Sequence, residues 1–332
     1  MQRIYFRMFG RRRSDWEGDD FASALSQLLT TDDRYQTVDS AGDADKICLV
    51  ESNQFKTADY VDEILADPMI NSFADRCFCI NYEDDALGIL PGLYAGLPKC
   101  RFEPDRHVAT CYLKPLTNED LQRADWLMEN RKRFPKHLIS FRGAMSHPVR
   151  RRLLSLAPLF RSLGPIEHVN RWFDHTQDEK LFYWNSLVDS KFVLCPRGIS
   201  PVSIRLFEGM ESARVPIIIA DEWVPPSGID WDACSIRVAE NEISRIPEIV
   251  RANESRWARM ANESRTAWEK NFSPYRKLPT ALDRWFSQID SIDKKGSVLK
   301  TLQSYRHFQR RWKLGWTIPQ RFWKRLLKCL VR

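Results

Sequence analysis

Apolar and polar positions alternate in blocks along the first part of the chain. Ile4-Tyr5-Phe6 and the continuous apolar runs over 46–50 and 76–80 have the length and character of strands buried on both faces. Helical spacing lies between them. Over 19–29 it is carried by Phe21, Leu25, Leu28 and Leu29. Over 57–65 it is carried by Tyr60, Ile64 and Leu65, with Pro68 just beyond. Glu51-Ser52-Asn53 closes the second strand, and the acidic loop Glu83-Asp84-Asp85 follows the third. This alternation predicts a parallel sheet covered by helices on both sides. Residues 86–115 are less regular, with a strand expected over 108–113. Thr117-x-x-Asp120 is a capping pattern that opens a helix over 117–128.

The charged stretch 129–136, which contains Pro135, reads as an interdomain linker. The alternation then resumes with a strand over 137–141 and the turn Arg142-Gly143-Ala144. A helix is expected over 146–160, with Ser146 as N-cap and Pro148 in its first turn. A strand over 191–195, a helix from 201 to about 213 and a strand over 215–219 follow, then helices over 242–250 and 255–271. The predicted architecture is α/β: domains over 1–132 and 133–292, then a tail over 293–332. Open sheets of this kind bind ligands beyond the carboxyl ends of their strands.

A chain of 332 residues suits two cores better than one. No run of ~18 apolar residues occurs. Residues 1–13 place an apolar patch before Arg11-Arg12-Arg13, the reverse of a secretory signal, so a cytoplasmic location is expected. The eight cysteines are scattered without a CxxC pair. Cys48 and Cys195 sit in apolar runs as buried thiols would, and Cys77 with Cys79 lacks a second pair at zinc-site spacing. No metal site is expected. The net charge of +7 is unevenly held. Twelve of the 51 Lys and Arg and none of the 44 Asp and Glu fall in 294–332, leaving the body 39 basic against 44 acidic residues, a net of −5.

The segment 190–208 carries the most specific chemistry. An apolar strand ends at Cys195, Pro196-Arg197-Gly198 makes a turn, and Gly198 allows close backbone approach to a ligand. Ser200-Pro201 reads as a helix start whose free N–H groups and positive end favour an anion. Arg205 and Glu208 follow on one helix face. A guanidinium suits a diphosphate and a carboxylate suits a ribose diol, so together they could hold a nucleoside diphosphate. Spacing alone favours an exposed i,i+3 ion pair.

The motifs Phe192-Val-Leu-Cys-Pro-Arg-Gly198, Ser203-Ile-Arg205-Leu-Phe-Glu208, Ala213-Arg-Val-Pro216-Ile-Ile-Ile-Ala-Asp221, Trp223-Val-Pro225 and Asp230-Trp231 resemble the C-terminal part of the exostosin glycosyltransferase domain. Ser140-Phe-Arg142-Gly143 with Arg150 and Arg151 extends the likeness to roughly 137–250. Ala213, where the family has Gly or another small residue, and Glu211, in a helix otherwise more apolar, are departures. The resemblance implies a GT-B fold of two Rossmann-like domains facing a cleft. It also implies an inverting, metal-independent mechanism and a sugar-nucleotide donor, expected to carry uridine diphosphate. Arg205 and Glu208 inherit nucleotide contacts, and Arg197, Gly198, Ser200, Ser203 and Arg142 complete the donor-side set. Interdomain salt bridges are the alternative for Arg197 and Arg142.

Inversion needs a base to deprotonate the acceptor hydroxyl. Glu51, Glu83, Asp84 and Asp85, following strands of the first domain, are candidates; solvated loop carboxylates are the other reading. His147 reads as a capping or packing neighbour. A metal-dependent single-domain alternative would need Asp-x-Asp at the far end of a strand. Asp43-Ala44-Asp45 instead precedes one and reads as a solvated turn. The tail has apolar residues at helical spacing, interleaved with Lys and Arg, and places Trp312, Trp316 and Trp323 among them. An anionic membrane surface fits 298–330 best. Packing on the body is a second reading, and nucleic acid is disfavoured by the acidic body. The expected function is sugar transfer to a glycan or lipid-linked glycan acceptor in surface-polysaccharide assembly. A non-catalytic partner subunit of the same fold is the alternative.

Overall fold

The computed structural model describes residues 1–9, 25–27, 29, 32–51, 64, 66–81, 84, 86, 88, 90–113, 117–170, 175–274 and 276–291. The helices expected over 19–29 and 57–65 lie mostly outside these residues. Glu83, Asp85 and the basic tail lie wholly outside them. The chain forms two compact units, residues 1–115 with 278–332 and residues 116–277.

The first unit holds a six-stranded sheet of β1 (Gln2–Phe9), β2 (Tyr35–Thr37), β3 (Lys46–Glu51), β4 (Cys77–Asn81), β5 (Gly92–Tyr94) and β6 (His107–Ala109), in the order β2-β1-β3-β4-β5-β6. All five pairings are parallel. β3 and β4 are buried almost throughout, which is why they read as continuous apolar runs. Ile64 and Ala66 are helical and Asp67 is not, so Pro68 lies just beyond a helical stretch as expected, and it is also the first residue of a further helix, α1 (Pro68–Phe73). Asp67 caps this helix, accepting from the backbone of Met69 and Ile70 while pairing with Arg7 at 2.9 Å. Asp45 of the Asp-x-Asp triplet is held by Arg3 at 2.9 Å, at the amino end of β3.

The second unit begins at α2 (Asn118–Asn130), whose Thr117–Asp120 capping box forms as expected. Its sheet comprises β7 (His137–Gly143), β8 (Ile166–His168), β9 (Ser190–Pro196), β10 (Val215–Ile219) and β11 (Ile236–Arg237), ordered β11-β10-β9-β7-β8 and parallel throughout. The helix expected over 146–160 is two, α3 (Pro148–Ser155) and α4 (Ala157–Phe160), because Leu156 leaves helical geometry and Pro158 opens the second turn. His147, not Ser146, caps α3. Next come α5 (Gln177–Val188), which the sequence reading omitted, and α6 (Ile204–Glu211). The unit closes with α7 (Trp231–Cys234), α8 (Ile246–Asn253) and α9 (Trp257–Asn271). Ile139, Phe141, Phe192, Leu194, Ile217 and Ile219 fill the core between sheet and helices. Two parallel-sheet α/β units are what the GT-B expectation calls for.

The units divide at 115/116, not at 132/133. The expected linker is wired into the second unit by the buried Arg214, which donates to the carbonyls of Arg131 and Arg133 at 3.1 Å each and of Val188 at 2.6 Å. Burial pushes its guanidinium down to about 10. Residues 278–291 leave the second unit again. They form most of α10 (Lys277–Ser291), which covers the first sheet: Trp285 stacks on Phe78, Phe286 on Tyr35, and Asp283 accepts from the Tyr35 hydroxyl at 2.5 Å.

Candidate functional site

The informative residues of the second unit collect where β7 and β9 end. β9 runs into Pro196-Arg197-Gly198. The helix that follows starts three residues later than expected, at Ile204 with Ser203 as N-cap. Ser200, buried, turns its hydroxyl to the backbone N–H of Val202 at 3.3 Å and so makes a local turn instead of a cap. Ser203 places no side-chain cap on α6; its Oγ lies 3.5 Å from Arg205 Nη1.

Arg205 is only 7% exposed. Its guanidinium lies over the rings of Phe141 and Tyr183, at 4.8 and 5.7 Å from their centroids, and donates to the carbonyl of Arg142. Gly143 makes room for it, since a Cβ there would stand 2.8 Å from Arg205 Nη2. Glu208 does not pair with Arg205. Its Oε2 accepts from the Tyr183 hydroxyl at 2.5 Å, and its Oε1 lies 3.7 Å from Arg123. The exposed i,i+3 ion pair is thereby set aside: both groups are buried and each has other partners.

Arg197 contacts Glu240 at 3.9 Å and the Ile199 carbonyl at 3.4 Å. Among the described residues, five buried side-chain polar atoms lack a hydrogen-bond partner, and two are the Nε atoms of Arg197 and Arg205. A buried N–H left unmet costs about 1–3 kcal/mol, so both guanidinia can gain from an added anionic acceptor. Gly198 packs against protein: a Cβ there would meet Ser146 Oγ at 3.0 Å and Arg150 Nη2 at 3.1 Å. Arg142 pairs with Glu167 at 2.8 Å, within its own unit, and stacks on Phe182 at 4.6 Å. Arg150 donates to the carbonyls of Ala144 and Arg197 at 3.0 and 3.1 Å, bracing the loops after β7 and β9. His147 accepts from the Val149 N–H, and burial with Arg197, Arg150 and Arg151 pushes its imidazole down to about 4. The result is an arginine-rich edge around a neutral imidazole, an environment suited to anions.

Sequence reasoning missed Arg123, Tyr183 and Phe141. Of the base candidates, Glu51 ends β3, is buried, and accepts from the Asn81 amide of β4. Asp84 is exposed and accepts from the Tyr112 hydroxyl at 3.3 Å. Among the described residues no three His, Cys, Asp or Glu side chains form a metal-like cluster, and no helix is long and apolar enough to cross a membrane. The buried thiols of Cys77, Cys195 and Cys234 are pushed up to about 12, as packing groups. A shallow depression of about 490 Å³ lies beside His137, Arg161 and Gly164, at the amino end of β7, and none of Arg142, Arg150, Arg197 and Arg205 lines it.

Residues 31–253 match the Exostosin GT47 domain. The Exostosin-1 homolog of Caenorhabditis elegans is 34% identical over 93 residues, covering 27% of this chain and 24% of that protein. A probable glucuronosyltransferase of Oryza sativa subsp. japonica is 36% identical over 83 residues, covering 24% and 20%. The matched segment thus spans about a quarter or less of these relatives. Among solved structures, an alpha1,3-fucosyltransferase superimposes with TM-score 0.44 and 12% identity, covering 90% of this chain and 91% of that one. S. aureus TarM, in complex with Fondaparinux, alpha-GlcNAc-glycerol and UDP, gives 0.41 and 13%, covering 81% and 58%.

Proposed function

Because the chain belongs to the exostosin GT47 family, we propose that it is an inverting glycosyltransferase moving a sugar from a nucleotide sugar, a UDP-sugar, to a glycan acceptor. The observation that carries this reading is the pair of under-satisfied guanidinia at the carboxyl edge of the second sheet, that of buried Arg205 and that of part-buried Arg197, each with a buried Nε that lacks a partner. They would take the diphosphate, with Glu208 accepting from the ribose hydroxyls. Charge neutralisation by arginine also stabilises a departing nucleoside diphosphate, so no metal is assigned to the reaction. Glu51, buried at the carboxyl end of β3, is the better placed base candidate; exposed Asp84 is the other. The basic residues of 298–330 would hold the protein on the anionic inner face of the cell membrane, near lipid-linked acceptors.

The test is thermal stability with nucleoside diphosphates. A ligand at 100 times its Kd adds about 2.7 kcal/mol, so uridine diphosphate should raise the Tm in the presence of a chelator. No shift with any nucleoside diphosphate at millimolar concentration would sink the donor assignment. A shift that needs magnesium or manganese would sink its metal independence.

A further inference from the structure

Glu208 is held at both carboxylate oxygens by residues that no family motif quoted above contains. Tyr183, on α5, donates to Oε2 at 2.5 Å. Arg123, on α2, stands 3.7 Å from Oε1, while its Nε donates to Glu211 at 3.0 Å and its Nη2 to Asp120 at 3.0 Å. Asp120 is itself fixed, accepting from the backbone N–H and the hydroxyl of Thr117 at 3.0 and 2.8 Å. Arg123 therefore cannot swing toward Glu208 or away from it without breaking two other charged contacts. Three carboxylates share this one cation, and all four side chains are at most 13% exposed. Burial pushes the Glu211 carboxyl up despite its bond to Arg123.

A buried carboxylate gripped this way presents fixed lone pairs. Tyr183 occupies one direction on Oε2, and Arg123 lies on the Oε1 side, so the directions left for a ligand are set before it arrives. We propose that Arg123 and Tyr183 are positioning residues that aim Glu208 at the donor's ribose diol and make the site selective for ribonucleotides over 2′-deoxyribonucleotides. This rests on the reading of Glu208 as the ribose acceptor. A preorganised acceptor loses a full charge-assisted bond when one hydroxyl is missing. A loosely held one rotates and recovers part of it.

The measurement is titration calorimetry of the full chain with uridine diphosphate and with 2′-deoxyuridine diphosphate. The unaltered protein should prefer the ribonucleotide by about tenfold or more. Tyr183→Phe keeps the ring under Arg205 and removes only the hydroxyl; it should shrink that preference to about threefold or less, chiefly by weakening the ribonucleotide. Arg123→Met should do the same, and Tyr183→Phe should add nothing in a Glu208→Gln background. A merely structural role would weaken both nucleotides together and leave the ratio in place. Should Arg123→Met not fold, Tyr183→Phe decides alone. An unchanged ratio in Tyr183→Phe, or no preference in the unaltered protein, overturns the inference and leaves the donor site standing. Binding of neither nucleotide overturns both.

Discussion

Arg205 donates to the main-chain carbonyl of Arg142, tying the helix after β9 to the carboxyl end of strand β7 through a single guanidinium. The contact passes over Gly143, where any side chain would intrude. Position and chemistry are thus set together: the cation is fixed at the sheet edge while its Nε remains without a partner.

Arg205→Ala and Glu208→Ala should each weaken uridine diphosphate binding by about 10- to 150-fold, the loss of one charge-assisted contact. Gly143→Ala should weaken it as well, by displacing Arg205 without changing a charge. Calorimetry reads all three. Normal affinity in both charge-removing variants would move the donor site elsewhere.

His147 supplies a probe of the same edge. Its pKa is lowered to about 4, against about 6.5 in an unfolded chain. Its contribution to stability is therefore complete above pH 6.5 and is lost as the pH falls toward 4. A bound diphosphate brings negative charge toward Arg197 and Arg150, so the titration of the His147 ring by NMR should move upward with uridine diphosphate. A ring that titrates near pH 4 with and without nucleotide would contradict a diphosphate at this place.

Ala213, with φ of 53°, is the only non-glycine described residue in the left-handed region, and it follows the C-cap of α6. That is the position where a helix end favours glycine. Ala213→Gly should stabilise the protein by about 0.5–1 kcal/mol, since relief of the Cβ clash exceeds the entropy added to the unfolded chain. Urea denaturation will show the gain as a higher midpoint at constant slope.

The tail makes a separate prediction. Full-length protein should sediment with anionic vesicles at low salt and release at high salt, each Lys or Arg near the surface contributing about 1 kcal/mol. A chain ending at Ile292 should stay in solution and still bind nucleotide. Equal vesicle binding by the two chains would remove the membrane role.

The strands were legible wherever both faces are buried: β3, β4, β9 and β10 are all recovered within a residue or two. Arg205 and Glu208 could be named because their motif is local. Their partners could not. Arg123 lies far upstream on a helix whose amphipathic pattern says nothing of which sheet it joins. Tyr183 sits on α5, where Leu181, Phe182, Trp184, Leu187 and Val188 spread apolar positions around the helix instead of along one stripe. Half-exposed Phe182 lies against Arg142 and Tyr183 against Glu208, so two polar contacts occupy a helix face that would otherwise read as core. The boundary was misplaced for a related reason. Charge and proline in 129–136 signal a linker, but Arg214 gathers the carbonyls of Arg131 and Arg133 from more than eighty residues away.

The return of α10 to the first sheet sets an order for synthesis. Phe78 and Tyr35 emerge from a ribosome about two hundred residues or more before the Trp285 and Phe286 rings that cover them. Chains generally fold N-terminal parts first as they are made, at about 5–20 residues per second. Here residues 116–277 have all their own contacts available about ten residues before the first sheet receives its cover. Of the two sheets, the one begun first is therefore the one completed last. A chain ending at Lys277 should already protect the second sheet from protease while the first remains open to it.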